Sequence, residues 1–263
     1  MKEQGLLSST AAAEKLGVTV STVKRWADEG LLPHVRTAGG HRRFRALDVS
    51  KMTAPDQSFS DQWVERLVSN PDPYSLKGEL LSFRGELGSW CDVADALGTV
   101  LVTIGLYWRA GKLSIEQEHI ASACLSRALA SCADSIPLSS KAPTCTLVVP
   151  EREEHTLGLS LLEPCLRELG WRTVWLGRNT PNSVILNYIG RHKPEALAVS
   201  ASSYTHSKGD LETLADILGK ASQPHNGAVL MGGSGKWPES PKYGQRFYSY
   251  SDLYTNLNKA KRS

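Results

Sequence analysis

The sequence predicts a multidomain chain that ends in an α/β doubly wound (Rossmann-like) domain with five parallel strands. Residues 1–52 contain two short helical patterns beside a Gly-Gly turn, and residues 61–136 place apolar side chains at three- and four-residue spacing. Residues 143–263 alternate apolar strands with helical patterns, as doubly wound sheets do. We therefore expect a helix-turn-helix head with a hairpin wing, a linker at 53–60, a four-helix bundle and the α/β domain.

The overall composition excludes several classes of protein. A hydrophobic content of 41% with 22% charged residues is ordinary for a soluble globular protein. No apolar run approaches the ~18 residues of a membrane span, and no signal peptide opens the chain. The five cysteines form no Cys-x-x-Cys pair, which favours free thiols in a reducing compartment over a zinc or redox motif. We expect a cytoplasmic protein without a membrane partner.

The charge is distributed unevenly along the chain. The net charge of the whole chain is +3, but residues 1–52 alone have a net charge of +4 and the remaining residues have −1. A basic head on a near-neutral body is typical of a small nucleic-acid-binding module.

The elements of the head follow from local signals. The first helix is predicted at about 8–17, with Ser8 or Ser9 at its start and Gly17 at its end. The second is predicted at about 19–30, with Thr19 or Ser21 near its start and Gly30 at its end. The two or three residues between them give the spacing of a helix-turn-helix. In the next segment, 31–45, apolar and polar side chains alternate on either side of Gly39-Gly40, which predicts a hairpin wing.

The second helix and the wing contain the candidate DNA contacts. A recognition helix would present four polar residues to a major groove of double-stranded DNA: Ser21, Thr22, Lys24 and Arg25. The wing's basic side chains suit phosphates or a minor groove: Arg36, His41, Arg42, Arg43 and Arg45. Five basic residues clustered on one wing indicate DNA binding.

The wing also has a specific motif. Residues 36–44 read R-T-A-G-G-H-R-R-F, which resembles the R-T-x-G-G-H-R-x-[FY] wing of the MerR family of transcriptional regulators. The resemblance implies a winged helix-turn-helix that binds an operator. Typical MerR proteins continue into a long dimerising helix, whereas this sequence breaks at 53–60 with T-A-P-D-Q-S-F-S. We expect a homo-oligomer, a dimer or a tetramer, whose contacts come from elsewhere.

The remaining elements are read from hydrophobic periodicity. Helices of the bundle are expected around 61–69, 74–87, 90–111 and 114–135. In the last domain we expect apolar strands at TCTLVV, RTVWLG, ALAVSAS and GAVLMGG, separated by helices that start near 158, 181 and 207. A weaker strand, QRFYSY, and a last helix, SDLYTNLNKAKR, complete the five-stranded sheet.

The loop after the first of these strands, P-E-R-E-E-H-T-L-G at 150–158, is the candidate binding site. It opens onto a helix at the carboxyl edge of the sheet, where doubly wound domains bind ligands. An imidazole at His155 could ligate a metal through one nitrogen while Glu153 holds the other. Gly158 would allow a bulky ligand to approach the backbone.

Residues of this domain resemble the cobalamin-binding module, which has the motif D-x-H-x-x-G, a later serine at a strand end and a Gly-Gly pair. The corresponding residues here are Glu153, His155, Gly158, Ser200, Ser202, Gly232 and Gly233. The resemblance implies that His155 ligates cobalt in place of the cofactor's own base, and that the displaced nucleotide tail runs past the serines and the glycine pair. Glu153 for aspartate and Ser202 for an apolar residue depart from the family pattern.

The bundle adds a second motif. Trp108 is followed after nine residues by Glu118-His119, and this W-x9-E-H arrangement resembles the bundle of CarH- and LitR-type light-sensing regulators. The resemblance implies that Trp108 packs over the adenosyl group of adenosylcobalamin, with Glu118 and His119 on its upper face. In that family a histidine follows the tryptophan and ligates cobalt after illumination. This chain has Arg109 there, which has no free lone pair.

Together these features predict a cobalamin-dependent transcriptional regulator, most simply a repressor and not an enzyme. One alternative is a MerR-type regulator whose sensor binds another tetrapyrrole or a protein partner. Another is a cobalamin-carrying enzyme module of the methyltransferase type. An enzyme of that type needs a further substrate-activating domain, because the protein must orient a substrate against the cofactor. We find no room for one in 263 residues.

Overall fold

A computed structural model describes residues 6–16, 20–28, 30–37, 39–45, 48–49 and 57–260. The chain folds into two compact units, Met1–Gln62 and Trp63–Ser263. The expected helix caps at residues 17 and 19 and the inner part of the predicted linker, 53–56, lie outside the described residues.

The first unit is the predicted winged helix-turn-helix. Strand β1 (Leu6–Ser8) precedes helices α1 (Ser9–Leu16) and α2 (Val20–Asp28), and strands β2 (Val35–Arg36) and β3 (Arg42–Arg45) form the wing. The three strands make an antiparallel sheet in the order β1-β3-β2. The hydroxyl of Ser8 accepts a hydrogen bond from the Ala11 amide at 3.1 Å, as an N-cap serine does.

A small apolar core holds this unit together. Its buried members are Ala12, Ala13, Val23, Ala27, Leu32, Phe44 and Val49. Strand β1, which the sequence patterns did not predict, brings Leu7 against this core and pairs it with Phe44. Thus α1, α2 and the wing share one core and are held in fixed positions within the unit.

The second unit begins with a helical bundle. Its helices are α3 (Gln57–Ser69, of which Trp63 onward belongs to this unit), α4 (Pro73–Leu87), α5 (Trp90–Arg109) and α6 (Ile115–Asp134). Helix α3 starts at Gln57, so its first turn occupies residues that were predicted as a linker. Ser60 is buried one turn before Val64 and two turns before Leu67, so the buried face of the helix extends toward its start.

Helix α5 is the central helix of the bundle. By length and composition alone it could cross a membrane, which the sequence reading did not foresee. It packs against α4, α6 and two helices of the sheet domain, and it buries Trp90, Val93, Leu97 and Val100 among others. Those contacts are typical of a core helix in a bundle.

The sheet is parallel and has five strands, as predicted. Strands β4 (Thr144–Pro150), β5 (Arg172–Thr180), β6 (Ala196–Ser200), β7 (Ala228–Gly232) and β8 (Gln245–Arg246) lie in the order β5-β4-β6-β7-β8. The helices are α7 (Leu157–Glu168), α8 (Asn182–His192), α9 (Lys208–Ser222) and α10 (Tyr250–Ala260), with a 3-10 turn at Gln223–His225.

The order of the strands assigns the helices to faces. The chain steps from β4 to one neighbour through α7 and then back past β4 through α8, so right-handed crossovers put α7 on one face and α8 and α9 on the other. Helices α7 and α10 pack against the bundle, whereas α8 and α9 pack against each other. Successive strands are added on one side of β4 and then on the other, so the strand order reverses between β4 and β6. Doubly wound sheets bind ligands at this point of reversal.

Polar contacts join the bundle to the sheet domain. Arg84 of α4 donates to Glu168 of α7 at 2.7 Å, and the other oxygen of Glu168 accepts from the Trp90 amide at 2.9 Å. Asp95 of α5 accepts from the Tyr250 and Ser251 amides at 2.8 and 3.1 Å, which places a carboxylate at the amino end of α10. These bonds hold the first turns of α5 against α7 and α10 within one compact unit.

Candidate functional site

Helix α2 presents a polar face in the first unit. Ser21, Lys24 and Arg25 are exposed and Thr22 is half-buried. Positions 21, 24 and 25 lie on one side of a helix, away from the buried Val23 and Ala27. The predicted recognition residues therefore form a continuous polar surface.

The wing divides its arginines between two faces. Side chains alternate along β3, so Arg42 lies on the same side as the buried Phe44, while Arg43 and Arg45 lie on the other side. Arg42 forms an ion pair with Asp28 of α2, and only 18% of its side chain is exposed. Arg42 was grouped with the DNA contacts, but here it joins the wing to α2.

The tip of the wing is a tight turn. The Gly40 amide donates to the Thr37 carbonyl at 2.8 Å, and Gly40 has a φ of +77°, a conformation that favours glycine. Arg36 and His41, on either side of this turn, are exposed. Arg36, His41, Arg43 and Arg45 thus remain the basic groups that the wing can offer to a phosphate backbone.

In the second unit, Glu153 and His155 meet in the loop after β4. Nδ1 of His155 lies 2.5 Å from Oε1 of Glu153. The carboxylate is completely buried, whereas 69% of the His155 side chain is exposed. Among residues 57–260, no group makes a hydrogen bond to Nε2 of His155. The imidazole is oriented by one nitrogen and presents the other outward.

The buried carboxylate is anchored from both sides. Oε1 of Glu153 also accepts the amides of Glu154 and His155, each at 3.1 Å. Oε2 accepts the backbone amide of Ser202, from the loop after β6, at 2.7 Å. Ser202 was predicted to contact a nucleotide tail. In the structure its amide holds Glu153, and its hydroxyl lies 3.0 Å from that of Thr205.

These contacts move the pKa values of the pair in opposite directions. Burial by itself raises the pKa of Glu153, but the hydrogen bonds from His155 and Ser202 outweigh burial and hold this pKa well below its ordinary value. The hydrogen bond with Glu153 raises the pKa of His155, burial opposes that rise, and the charge of Glu118 adds to it. Glu118, on α6, is therefore close enough for its charge to act on His155.

Three further predicted residues meet at the amino end of α7. A Cβ atom built on Gly158 would lie 3.3 Å from Oγ of Ser200, and one built on Gly233 would lie 2.8 Å from the same atom. One built on Gly232 would meet nothing within 4 Å. The hydroxyl of Tyr250, from α10, donates to the Gly158 carbonyl at 2.9 Å. This passage is narrow: a side chain at Gly233 would collide with the Ala201 carbonyl, and one at Gly158 would require Ser200 to shift.

The predicted upper residues lie at the end of α5 and the start of α6. A capping box formed by Ser114 and Gln117 starts α6, so that Glu118 and His119 fall within its first turns. Glu118 accepts a hydrogen bond from Ser122 at 2.6 Å, and 71% of the His119 side chain is exposed. Trp108 is 50% exposed.

Large apolar side chains are exposed at this end of the bundle. Ile115 and Ile120, at the start of α6, are 59% and 48% exposed, and Trp108 at the end of α5 is 50% exposed. Large exposed apolar side chains, where they adjoin one another, mark binding surfaces.

Arg109 makes a contact that sequence reasoning missed. Its guanidinium lies 5.3 Å from the centre of the Tyr204 ring, in the loop after β6. A cation–π contact of this kind holds the end of α5 near the carboxyl edge of the sheet. Tyr204 stands in no recognisable motif, so only the fold could reveal the pair.

The donor groups limit what the site can do with a metal. Among the described residues there is no group of three or more His, Cys, Asp or Glu side chains that could hold an ion. A single oriented imidazole at His155 can supply one ligand, so a metal here needs its other ligands from a prebuilt complex.

Known proteins resemble both parts of the chain. The family model of MerR family regulatory proteins matches residues 8–44. The HTH-type transcriptional repressor CarH of Myxococcus xanthus is 23% identical over 266 residues, which cover 85% of this chain and 87% of CarH. The repressor CarA of the same organism is 28% identical over 124 residues, or 47% of this chain and 42% of CarA.

One solved structure shares the fold of the second unit. The monomethylamine corrinoid protein of Methanosarcina barkeri has a TM-score of 0.57 at 18% identity, and the match covers 77% of this chain and 96% of that protein. At this identity the likeness concerns the fold alone.

Proposed function

We propose that this chain is a MerR-type transcriptional regulator that represses transcription from operator DNA in response to a cobalamin bound by its second unit. Its similarity to MerR family regulatory proteins, CarH and CarA supports this. The observation that carries the proposal is His155, which is oriented through Nδ1 by a buried carboxylate and presents Nε2 at the carboxyl edge of the sheet. The corrinoid-protein fold of this unit supports it.

The residues around His155 fit a corrinoid. A corrin ring supplies four nitrogen ligands to cobalt, so the protein has to add only one, which agrees with the single oriented imidazole. Glu153 keeps the proton of the ring on Nδ1 and leaves Nε2 as the ligating atom. Ser202 is a further positioning residue, because its amide holds the second oxygen of Glu153.

The nucleotide tail would follow the passage at Gly158, Ser200 and Gly233. That passage is narrow in this structure, and Tyr250 bonds to the Gly158 carbonyl. We propose that Tyr250 gives up this hydrogen bond when the tail enters, and that the absence of side chains at Gly158 and Gly232 makes room for it.

The upper side of the ligand would meet the bundle. We propose that the exposed Trp108 packs on an adenosyl group and that Glu118 and His119 bind its polar edge. Adenosylcobalamin would supply a light-sensitive cobalt–carbon bond. The apolar side chains at Ile115 and Ile120 add to the surface that would exclude water from it.

Arg109 distinguishes this chain from the light-sensing pattern. A guanidinium stays protonated and has no free lone pair, so Arg109 cannot ligate a metal. The contact with Tyr204 instead keeps its charge at the edge of the sheet. We propose that any response to light proceeds without a second imidazole from this position, and that His119 is the nearest replacement along the chain.

The first unit would bind DNA with the exposed face of α2 and the wing. A head of this size buries too little surface for tight binding alone, so we propose that the repressor acts as a dimer or tetramer on paired sites in the cytoplasm. The basic residues of the wing supply the phosphate contacts.

The decisive experiment is cobalamin capture by the purified full chain. Wild-type protein mixed with adenosylcobalamin in the dark should retain one cofactor per chain after gel filtration, with the absorption spectrum of a histidine-ligated corrinoid. His155→Ala should lose it, and His192→Ala, which changes an exposed imidazole of α8 stacked on Tyr188, should not. Stable capture by His155→Ala would contradict the ligand assignment.

Illumination of the loaded protein tests the role of Arg109. The wild type should not develop the spectrum of cobalt held by two histidines unless His119 becomes the second ligand, in which case His119→Ala should abolish that spectrum. Arg109→His should gain it. If the wild type develops that spectrum and His119→Ala leaves it unchanged, another base of the chain must provide the second ligand.

A further inference from the structure

A second cavity lies at the carboxyl edge of the sheet, on the face opposite α7. It has a volume of about 170 Å³. Its wall consists of Glu151 and Arg152 from the loop after β4, Asn182 at the start of α8, His206 from the loop after β6, and residues of α9. Helices α8 and α9 pack against each other and against strands of the sheet. The residues that line this cavity do not include Gly158, Ser200, Gly233 or Tyr250, which line the passage.

Two buried polar atoms in the wall of this cavity have no partner. His206 is only 8% exposed, and its Nε2 makes no hydrogen bond to any group in the described part of the chain. The same holds for Oδ1 of Asn182. Buried polar atoms are nearly always hydrogen-bonded, and two unpaired atoms in one cavity point to a ligand that pairs with them.

The charged groups of the wall are unequally paired. Nη2 of Arg152 lies 3.7 Å from Asp210, and Asp210 also caps α9 through Ser207. The backbone of Arg152 is held in a left-handed conformation, φ +68°, by its amide's hydrogen bond to Asn179 at 2.7 Å. Glu151, in contrast, forms no ion pair with any residue that the structure describes.

The open groups can therefore all accept a hydrogen bond, His206 when its ring proton is on Nδ1. They are the carboxylate of Glu151, Oδ1 of Asn182 and Nε2 of His206. An ammonium group has three N–H donors and no acceptor, which complements this set. Leu214 and Ile217 of α9 complete the wall with apolar side chains, which suit a short hydrocarbon chain attached to the ammonium.

We propose that this cavity binds a small organic ammonium ion with a short apolar chain. The cavity would hold roughly five or six water volumes, about the size of a four-carbon amine. The start of α8 favours an anion through its helix dipole, but the unpaired carboxylate of Glu151 and the acceptor at Asn182 oppose one. This site does not depend on the cofactor proposed for His155.

The test uses the full chain with ¹³C-labelled histidine and three probes of one shape: butylammonium, butyramide and butyrate. The imidazole signal of His206, identified by its loss in His206→Phe, should shift in a saturable manner at millimolar butylammonium. We expect butyramide to bind more weakly and butyrate at least tenfold more weakly. The signal of His192, on the exposed part of α8, is the internal control and should not move.

Two variants separate a specific site from surface attraction. Glu151→Gln should weaken butylammonium binding about tenfold, and Ile217→Phe should block the cavity from a half-buried position that tolerates a larger side chain. Butyrate binding as tightly as butylammonium, a shift that never saturates, or indifference to both variants would overturn the proposal. Displacement of butylammonium by cobalamin would also overturn it, since the cavity would then belong to the cofactor site.

Discussion

Glu153→Gln tests how much the buried carboxylate contributes to the second unit. The glutamine can keep one oxygen where Oε1 accepts its three donors, but its amide group then replaces Oε2 beside the Ser202 amide, so that donor faces donor. A buried unpaired donor costs about 1–3 kcal/mol, and replacing charged by neutral hydrogen bonds at His155 adds about 1 kcal/mol. We expect a loss of about 2–4 kcal/mol in the free energy of unfolding.

The matched control is Glu154→Gln, at the neighbouring position. Glu154 lies 3.3 Å from Arg178, but 55% and 70% of their side chains are exposed. Such a pair contributes less than about 1 kcal/mol. Urea denaturation of the full chain, followed by tryptophan fluorescence, compares the two variants. Equal midpoint shifts would refute the idea that Glu153 is an anchored, buried group.

The stability gap between wild type and Glu153→Gln should also depend on pH. The lowered pKa of Glu153 adds stability that is present above its ordinary value of 4.5 and is lost as the pH falls through the folded value. The raised pKa of His155 adds stability that is present below its ordinary value of 6.5 and is lost as the pH rises through the folded value. The gap should therefore be widest between about pH 4.5 and 6.5, and a gap that is constant from pH 4 to 9 would contradict this.

Substitutions at the wing, at Tyr250 and at two glycines of α9 also have expected outcomes. Arg43→Ala should weaken operator binding by roughly 1–3 kcal/mol if Arg43 contacts a base, or flatten the salt dependence of binding if it contacts phosphate. Fluorescence anisotropy can measure both. Arg42→Ala should instead lower the melting temperature of the head, since Arg42 pairs with Asp28. Tyr250→Phe should cost about 1 kcal/mol of stability and tighten cobalamin binding by up to tenfold if the tail displaces its hydrogen bond, by denaturation and titration. Gly219→Ala should destabilise by about 1–3 kcal/mol, because the new Cβ would lie 2.1 Å from Cβ of Tyr243, whereas Gly209→Ala in the same helix should not destabilise.

Much of this protein is determined by signals that are local in the sequence. Periodicities of two and of about three and a half residues locate the strands and helices, because each element has to bury one face. Caps such as Ser114 fix where a helix starts to within a residue or two. The pairing of Glu153 with His155 is also local, since two residues in one loop can reach each other. The alternation along β3 could have separated Arg42 from Arg43 and Arg45 in advance.

The tertiary structure decided the contacts between residues that are far apart along the chain. Ser202 anchors Glu153 across 49 residues through its backbone amide, which every non-proline residue has, so its side chain carries no signal of this role. Tyr250 reaches Gly158 across 92 residues, and Arg109 meets Tyr204 only because α5 ends above the edge of the sheet. The cavity beside His206 likewise depends on the crossover direction that places α8 and α9 on one face of the sheet. A single sequence shows which groups are polar, but not which of them the fold leaves unpaired.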